Sequence, residues 1–419
     1  MRILWLSATS SIKVDSTDKR IGGGWITSLE QVLDKKSDIF IGRIFISNQE
    51  NKSQYTIGNT TYFPVPGKIA KNRFVEIINR WAHKLEPESL LEIYIKIIHE
   101  FKPDIIHIFG TEFIYGLVIS KTTVPCIIHL QGSLSLVKHK WFDGISAIDM
   151  FRYSKKWLLI QGYGSLHEYF FFKKAAEREL KIFKECHYFM GRTDWDRRIT
   201  SVLAPEAKYF HCDEIIRQEF YLHNWQPYLY RNKLVIITTM RDCTYKGLET
   251  LFESQKILQK SFDENKITWK IAGIDENDEI VYLIERKYKD SFKNNNFNFL
   301  GRLEEKELLA EMLDADLFVH PSHIDNSPNT VCEAMLLGMP IIATYAGGIP
   351  SILENNKEGF LVQDGDPFAL AGAIIELFKD NNNAVSKGKN ARTKAMVRHN
   401  PEVIADRVVN IYSSILSNI

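Results

Sequence analysis

One stretch of the chain decides its fold: His320-Pro321-Ser322-His323-Ile324-Asp325-Asn326-Ser327-Pro328-Asn329-Thr330-Val331-Cys332-Glu333-Ala334-Met335. The apolar run Leu317–His320 predicts a buried strand that leads into this stretch, and a helix is predicted to start near Pro328. The first amides of that helix, around Asn329, Thr330 and Val331, have no backbone acceptor. Together with the helix dipole they predict an anion-binding site.

Two acidic residues accompany the predicted anion site. Asp325 lies in the loop before the helix and can accept hydrogen bonds from sugar hydroxyls. Glu333 lies one turn inside the helix and can reach a ribose diol. Its neighbours Val331, Ala334 and Met335 are apolar, which disfavours a solvated position for Glu333. For Asp325, a purely local role in stabilising a turn stays open.

Two cations follow an earlier predicted strand. Leu234–Thr239 leads through Arg241 and Lys246 into a helix that is predicted over Gly247–Gln259. Cations at a helix start oppose the helix dipole, which disfavours an incidental surface position. A pair of cations at the carboxyl end of a strand suits a diphosphate and can stabilise its charge as a leaving group.

Strands and helices alternate along the whole chain. This order predicts parallel strands with right-handed crossovers, and ligands bind at the carboxyl ends of such strands. We therefore predict an α/β protein with two Rossmann-like doubly wound domains that face a central cleft. The boundaries are predicted at 1–228 for the first domain, 229–398 for the second and 399–419 for a last helix.

Composition excludes several classes of protein. The 419 residues include 53 Lys and Arg and 52 Asp and Glu, so bulk charge gives no basis for nucleic-acid binding. Five scattered cysteines without a C-x-x-C pair argue against a zinc site and a disulfide framework. The apolar stretch after Met1 is too short for a signal peptide. These features predict a cytoplasmic protein.

Charge is unevenly shared between the two halves. Residues 1–228 carry a net charge of +6 and residues 229–419 a net charge of −5. Aromatic residues crowd with lysines at 151–172. Such a segment can lie on an anionic membrane surface, and the alternative is a solvated helix face over core aromatics. We predict peripheral binding to the inner face of the cell membrane, with contributions from Lys155, Lys156, Lys173 and Lys174.

From residue 234 to about 380 the chain resembles the donor domain of the retaining GT-B glycosyltransferases of family 4, the group 1 family. The matching motifs keep the order and spacing of that family: Arg241 with Lys246-Gly247, Lys270-Ile271-Ala272-Gly273, Phe299-Leu300-Gly301-Arg302-Leu303, His320-Pro321-Ser322, Asp325 through Glu333-Ala334-Met335, Gly338-Met339-Pro340-Ile341-Ile342-Ala343-Thr344, Gly347-Gly348-Ile349-Pro350 and Gly359. The family usually has Glu where this chain has Asp325, which is one methylene shorter.

The first half resembles the family more loosely. Gly22-Gly23-Gly24 is similar to the family's glycine loop, and Pro103 to Gly110 is similar to its inner strand. Gln131 stands where the family often has a His near the donor sugar, and His129 falls two residues earlier on the same strand face. Since Gln cannot act as a general base, a hydrogen-bonding role is expected for Gln131. Substitution of the family's His by His129 stays open, although a lone strand His is more often structural.

The resemblance implies a retaining, metal-independent hexosyltransferase of surface polysaccharide biosynthesis, such as capsule assembly. Its donor would be a nucleotide-diphosphate sugar, with a UDP-sugar favoured over a GDP-sugar, and its acceptor a saccharide or lipid-linked saccharide. The catalytic residues implied are Arg241, Lys246, Asp325 and Glu333. The donor-binding residues implied are Gly23, Gly24, Arg241, Lys246, Gly301, Leu303, Asp325, Asn329, Thr330, Val331 and Glu333. The acceptor-binding residues are Trp25, His107, His129 and Gln131. In similar proteins the last helix returns to the first domain, and here Ile404, Val408, Ile411 and Ile415 offer an apolar stripe for that packing.

Neither a cofactor nor a metal is expected. Asp364-Gly365-Asp366 matches the D-x-D of metal-using GT-A enzymes, but the following Pro367 predicts Asp366 as the N-cap of a helix. Two other functions are compatible with the fold, a nucleotide-sugar epimerase and a non-catalytic nucleotide-sugar sensor. The set of Arg241, Lys246, Asp325 and Glu333 favours transfer over both.

Overall fold

The chain forms two compact units. A computed structural model describes residues 1–9, 24–47, 54–67, 73–227, 233–260 and 267–418. Unit 1 comprises Met1–Lys138, Phe170–Ile215 and His399–Ile419, and unit 2 comprises His139–Tyr169 and Ile216–Arg398.

The regular elements alternate as the sequence predicts. The strands are β1 (Arg2–Leu6), β2 (Phe40–Ser47), β3 (Tyr55–Ile57), β4 (Thr60–Pro66), β5 (Ile105–Phe109), β6 (Cys126–His129), β7 (Tyr188–Gly191), β8 (Lys208–His211), β9 (Leu234–Thr239), β10 (Ile267–Ala272), β11 (Phe297–Gly301), β12 (Leu317–His320), β13 (Ile341–Thr344) and β14 (Phe360–Val362). The α-helices are α1 (Gly24–Leu33), α2 (Arg73–Trp81), α3 (Ser89–Phe101), α4 (Leu134–Lys140), α5 (Ala147–Tyr153), α6 (Lys156–Ile160), α7 (Ser165–Glu185), α8 (Asp194–Leu203), α9 (Glu219–Leu222), α10 (Leu248–Leu258), α11 (Glu279–Tyr288), α12 (Glu305–Leu313), α13 (Asn329–Leu337), α14 (Ile349–Ile352), α15 (Pro367–Lys379), α16 (Asn381–Arg398) and α17 (Pro401–Leu416). Short 3-10 helices cover Ile114–Lys121, Thr244–Lys246 and Lys293–Asn295.

Unit 1 is built on an eight-stranded sheet in the order β3-β4-β2-β1-β5-β6-β7-β8. Its strands pair in parallel except β3, which is antiparallel to β4. Successive residues of β1 serve opposite faces. Leu4 and Leu6 join the core that contains α3, whereas Ile3 and Trp5 join the core that contains α1 and α17. Both faces of the sheet are therefore covered, which explains the nearly continuous apolar strands.

Unit 2 is built on a six-stranded, fully parallel sheet in the order β11-β10-β9-β12-β13-β14. After β9 the chain moves outward through β10 to β11, then crosses back to place β12 on the other side of β9. Leu317 of β12 is in register with Ile236 of β9. The sheet therefore has its topological switch point between β9 and β12, where doubly wound sheets bind ligands.

The two units differ in two places from the boundaries that the sequence predicts. The division falls at Ile215 rather than at residue 228, and His139–Tyr169 belongs to unit 2 although it lies inside the predicted first domain. Polar contacts explain why His139–Tyr169 belongs to unit 2. The Thr244 hydroxyl donates to the Trp141 carbonyl at 2.7 Å, and the Ser165 amide donates to Glu279 Oε2 at 2.7 Å. Trp141 is fully buried there.

The last helix, α17, belongs to unit 1. Its residues Ile404, Val408, Ile411 and Ile415 are buried in one apolar cluster with Trp25, Ile26 and Leu29 of α1. The helical spacing of these residues is therefore the spacing of a core face. Among the described helices, none combines the length and the apolar character that crossing a membrane requires.

Candidate functional site

Two loops meet at the switch point of unit 2. One follows β9 and carries Lys246, and the other follows β12 and carries Asp325. The backbone fastens the loops together, because the His323 amide donates to the Tyr245 carbonyl at 2.9 Å. Since β9 and β12 are adjacent parallel strands, both loops leave the same edge of the sheet.

Lys246 and Asp325 form the centre of this site. Lys246 Nζ lies 2.7 Å from Asp325 Oδ2, and His320 Nε2 lies 3.2 Å from the same oxygen. The other carboxylate oxygen accepts a hydrogen bond from the Asn326 amide at 3.0 Å. Burial alone would raise the pKa of Asp325, but Lys246 and His320 outweigh it and hold this pKa below its ordinary value. Asp325 is therefore a fixed anion beside a fixed cation.

Two glycines allow the loops to approach. Gly247 has a φ of +77°, and a Cβ there would lie 2.2 Å from the Pro321 carbonyl oxygen. Gly347 has a φ of +55°, and a Cβ there would lie 2.0 Å from the carbonyl oxygen of Asp325. That carbonyl accepts a hydrogen bond from the Gly348 amide at 2.9 Å. The glycines of the Lys246-Gly247 and Gly347-Gly348 motifs thus hold the site by backbone contact.

Glu333 is buried and only half satisfied. Its Oε1 accepts hydrogen bonds from Arg217, with Nε and Nη2 both at 2.8 Å. Its Oε2 is buried and has no hydrogen-bond partner among the described residues. Burial raises the pKa of Glu333, against the opposing effect of the Arg217 guanidinium. An unsatisfied buried carboxylate oxygen suits a ligand that brings hydroxyl donors.

Arg217 could not be predicted as a member of the site. It lies 116 residues before Glu333 in the sequence and outside every recognisable motif. Its guanidinium also stacks on the Phe220 ring, 4.8 Å from the centroid. The only sequence signal is indirect, since a buried Glu requires a cationic partner from somewhere in the chain.

The start of α13 agrees only in part with the prediction. Pro328 occupies the N-cap and makes no side-chain hydrogen bond to the first turn, which leaves the amides of Asn329 and Thr330 at an uncapped helix start. The prediction for Val331 is wrong, because its amide already donates to the Pro328 carbonyl at 3.0 Å and its side chain is fully buried. The start of the helix near Pro328 is confirmed.

The remaining predicted donor residues of unit 2 lie around the same strand ends. Arg241 follows β9 and is exposed. Gly301 ends β11, where its amide donates to the Ile274 carbonyl and its own carbonyl accepts from Gly273 at 2.7 Å. Both backbone groups of Gly301 therefore make hydrogen bonds within unit 2, and its predicted role in donor binding stays a prediction. Leu303 packs against the apolar core of unit 2.

The predicted acceptor residues lie in unit 1. The prediction is wrong for His107, which is buried in the core. His107 is fully buried in β5, and its Nδ1 lies 2.5 Å from the Tyr412 hydroxyl. Burial lowers the pKa of His107 to about 3. A side chain enclosed in this way cannot contact an acceptor, so His107 is a core residue. The sequence does not distinguish a core histidine from an acceptor-binding histidine, because both can occupy a strand position such as that of His107.

Trp25 and His129 lie together near the strand ends of unit 1. Their rings are 4.7 Å apart in an edge-on arrangement, and both are almost fully buried. Both ring nitrogens of His129 are buried without a hydrogen-bond partner in the described part of the chain, and burial holds its pKa well below the ordinary value. Gln131 is partly exposed, and its carbonyl accepts from Arg192 at 3.2 Å. Gly24 begins α1, whereas Gly23 lies outside the described residues.

The D-x-D motif is engaged in protein contacts. Asp366 is the N-cap of α15 and accepts from the Phe368 and Ala369 amides at 3.0 and 2.9 Å. Asp364, Asp143 and His323 bring potential metal-ligand atoms within 4.8 Å of one another. Lys140 Nζ lies 2.7 Å from Asp143 Oδ2 and 3.1 Å from Asp364 Oδ2. An ammonium group therefore already compensates these two carboxylates.

Part of the chain matches a known family of proteins. Residues 223–394 match the model of the family "Glycosyl transferases group 1". The amylovoran biosynthesis glycosyltransferase AmsK of Erwinia amylovora is 24% identical over 184 residues, which cover 42% of this chain and 44% of that protein. Three of the curated relatives align with this chain over only 30–44% of their own length.

Solved structures resemble the chain over its whole length. Sucrose-phosphate synthase from Thermosynechococcus elongatus superposes with a TM-score of 0.73 at 16% identity, covering 100% of both chains. Anabaena HepE in complex with UDP-glucose gives a TM-score of 0.65 at 17% identity, covering 99% of this chain and 100% of the other. At these identities the likeness establishes the fold, which is the GT-B arrangement of two Rossmann-like domains. Residues 223–394 accordingly resemble the group 1 glycosyltransferases, within a chain that has the GT-B fold.

Proposed function

We propose that this protein is a retaining glycosyltransferase that moves a hexosyl group from a nucleotide-diphosphate sugar to a hydroxyl of a saccharide acceptor. The observation that carries the proposal is the arrangement at the switch point of unit 2. There the Lys246–Asp325 pair, the uncapped start of α13 and the unsatisfied Glu333 oxygen belong to one strand edge. A cation, helix amides and a buried carboxylate are the groups that a diphosphate and a ribose diol require.

Each side chain has a separate task in this mechanism. The donor diphosphate competes with Asp325 for Lys246, and Lys246 then stabilises the negative charge that grows on the diphosphate as the glycosidic bond breaks. Arg241, from the same loop, adds a second cation. Asp325, still held by its backbone and by His320, accepts hydrogen bonds from the donor sugar. Glu333 Oε2 accepts from the ribose, while Arg217 keeps the carboxylate charged and oriented.

We favour a UDP-sugar as donor and no metal. The HepE complex provides the precedent of a UDP-sugar in this fold, and protein cations supply the charge that a metal otherwise supplies. We further propose that the acceptor is a lipid-linked saccharide of surface polysaccharide biosynthesis, at the inner face of the cell membrane. The name of AmsK supports the pathway class.

A transfer assay tests the proposal. Purified protein is incubated with UDP-sugars or GDP-sugars, with and without a lipid-linked acceptor extract, in buffer that contains EDTA. We expect an acceptor-dependent product from a UDP-sugar, with the anomeric configuration of the donor retained in its NMR spectrum. A changed sugar nucleotide in the absence of acceptor would indicate an epimerase. Activity that EDTA abolishes and Mn²⁺ restores would contradict metal independence.

A further inference from the structure

Helix α2 of unit 1 presents its apolar side to solvent. Phe74, Val75, Ile78 and Trp81 are exposed to 71%, 46%, 55% and 52%. They recur at the spacing of one helix face. The ion pair of Glu76 and Arg80, on the polar side, is more covered, with side-chain exposures of 31% and 23%. A surface helix ordinarily buries its apolar stripe, so α2 has the reverse orientation.

The same surface continues onto α7. Lys174 Nζ donates to the Ala82 carbonyl at 2.6 Å, and the His83 ring packs 5.1 Å from the Phe170 ring. Phe170 and Phe171 are exposed to 41% and 38% and extend the apolar area.

Lysine side chains border this apolar surface. Lys84 and Lys173 are exposed at its border. Apolar aromatic side chains flanked by lysine and arginine are typical of a helix that lies in the headgroup region of an anionic bilayer.

We propose that α2 lays Phe74, Ile78 and Trp81 into an anionic lipid surface, with Lys84 and Lys173 at the headgroups. This inference rests on the proposed function, whose membrane partner it locates in unit 1. It also revises the predicted contact. Lys155 and Lys156 belong to unit 2, where Lys155 Nζ donates to the Asn277 carbonyl at 3.0 Å and Lys156 Nζ to the Phe151 carbonyl at 2.7 Å. These two ammonium groups are already engaged by the protein.

Vesicle flotation of the full chain tests the role of α2. Vesicles of phosphatidylcholine alone are compared with vesicles that also contain phosphatidylglycerol. We expect binding to the anionic vesicles only, weakening as salt rises because the charges are screened. The double variant Phe74→Ser/Trp81→Ser should reduce the bound fraction about tenfold or more, since two large apolar side chains no longer leave water. Val202→Ser, at a position that is 77% exposed on α8, is the matched control and should bind as the wild type does.

Charge reversal gives an independent arm. Lys84→Glu/Lys173→Glu should weaken binding several-fold, whereas Lys181→Glu, exposed on the same helix as Lys173, should not. UDP affinity and melting temperature are measured on every variant. Lost vesicle binding with unchanged UDP affinity supports the proposal, and vesicle binding without any UDP binding would reject the donor proposal alone. The proposal is overturned if Phe74→Ser/Trp81→Ser binds the vesicles as well as the wild type does, or if the wild type binds neutral and anionic vesicles equally. It is also overturned if the wild type binds neither kind of vesicle, as expected of a face that docks another protein.

Discussion

Lys246 Nζ and Asp325 Oδ2 lie 2.7 Å apart across the switch point of unit 2, although the residues follow different strands. The pair holds the lysine at the strand ends, where the proposed donor would bind. Its side chains are only 16% and 20% exposed, so the lysine is pre-positioned rather than mobile in water. Preorganised charge of this kind is the main electrostatic contribution that an enzyme makes to a transition state.

Removal of the lysine charge is expected to slow transfer. Lys246→Ala should lower the turnover rate about a hundred- to a thousandfold, as the loss of one preorganised contact does. The matched control is Lys256→Ala, which breaks the more exposed Lys256–Asp290 pair, 3.0 Å long, on α10. Steady-state kinetics with saturating donor measure both variants. Near-normal turnover in Lys246→Ala would remove Lys246 from the mechanism.

Loss of Arg217 is expected to destabilise unit 2. Arg217→Ala leaves the buried Glu333 carboxylate without its cation, which costs about 3–5 kcal/mol when one partner of a buried pair is removed. Arg197→Ala breaks an exposed pair with Asp194 and should cost about 1 kcal/mol or less. Urea unfolding measures both.

The destabilisation caused by Arg217→Ala is expected to depend on pH. An acid whose folded-state pKa is raised binds its proton more readily when folded, so its burial penalty is largest above that pKa and falls as the pH is lowered through it. The deficit of Arg217→Ala should therefore be largest at neutral pH and shrink in acid. A deficit that stays constant with pH would show that Glu333 remains uncharged or solvated.

Two glycine substitutions should have opposite effects. Gly347→Ala places a methyl group 2.0 Å from the Asp325 carbonyl oxygen at a φ of +55°, so we expect destabilisation by about 1–3 kcal/mol or more together with lower activity. Gly372→Ala lies inside α15 with nothing within 4 Å of the new Cβ, and should stabilise by about 0.4–1 kcal/mol. Thermal unfolding compares them. Equal melting temperatures would contradict the close approach at Gly347.

Acid should unfold unit 1 partly through His107. The folded-state pKa of about 3 lies below the ordinary value of 6.5, so the unfolded chain binds a proton that the folded chain does not. His107 thus stabilises the fold fully above pH 6.5, and this contribution falls by up to about 1.4 kcal/mol per pH unit below it. The slope of unfolding free energy against pH should be smaller in His107→Gln. An unchanged slope would show that His107 is protonated in the folded protein.

The sequence predicts the interior of the fold better than its edges. The bounds of β9 and β12 are those that the apolar runs Leu234–Thr239 and Leu317–His320 predict. The edge strands β3 and β8 are partly exposed and lack such runs, and Pro64 and Pro66 argue against β4 although the structure forms it. Helix α2 was not predicted, and its outward apolar side has no counterpart in the usual pattern of a surface helix.

The candidate site also contains residues that the sequence predicts and residues that it does not. Lys246, Asp325 and Glu333 could be predicted because they belong to short motifs with local spacing. Arg217 and the position of His139–Tyr169 in unit 2 depend on tertiary contacts between segments far apart in the sequence, which a single sequence does not encode visibly. His107 and Val331 are core residues because they are buried, and the sequence alone does not show which residues are buried.

Calorimetric titration of UDP into the wild type, Lys246→Ala and Glu333→Gln tests the central claim most directly. We predict saturable one-to-one binding by the wild type in the presence of EDTA. Lys246→Ala should bind at least about tenfold more weakly, since a charge-assisted hydrogen bond is worth about 1.5–3 kcal/mol. Glu333→Gln should also bind more weakly, because the amide keeps the shape but loses the charge that the ribose hydroxyls meet. The absence of UDP binding by the folded wild type, or equal affinity in all three proteins, would contradict a diphosphate site at Lys246 and Asp325.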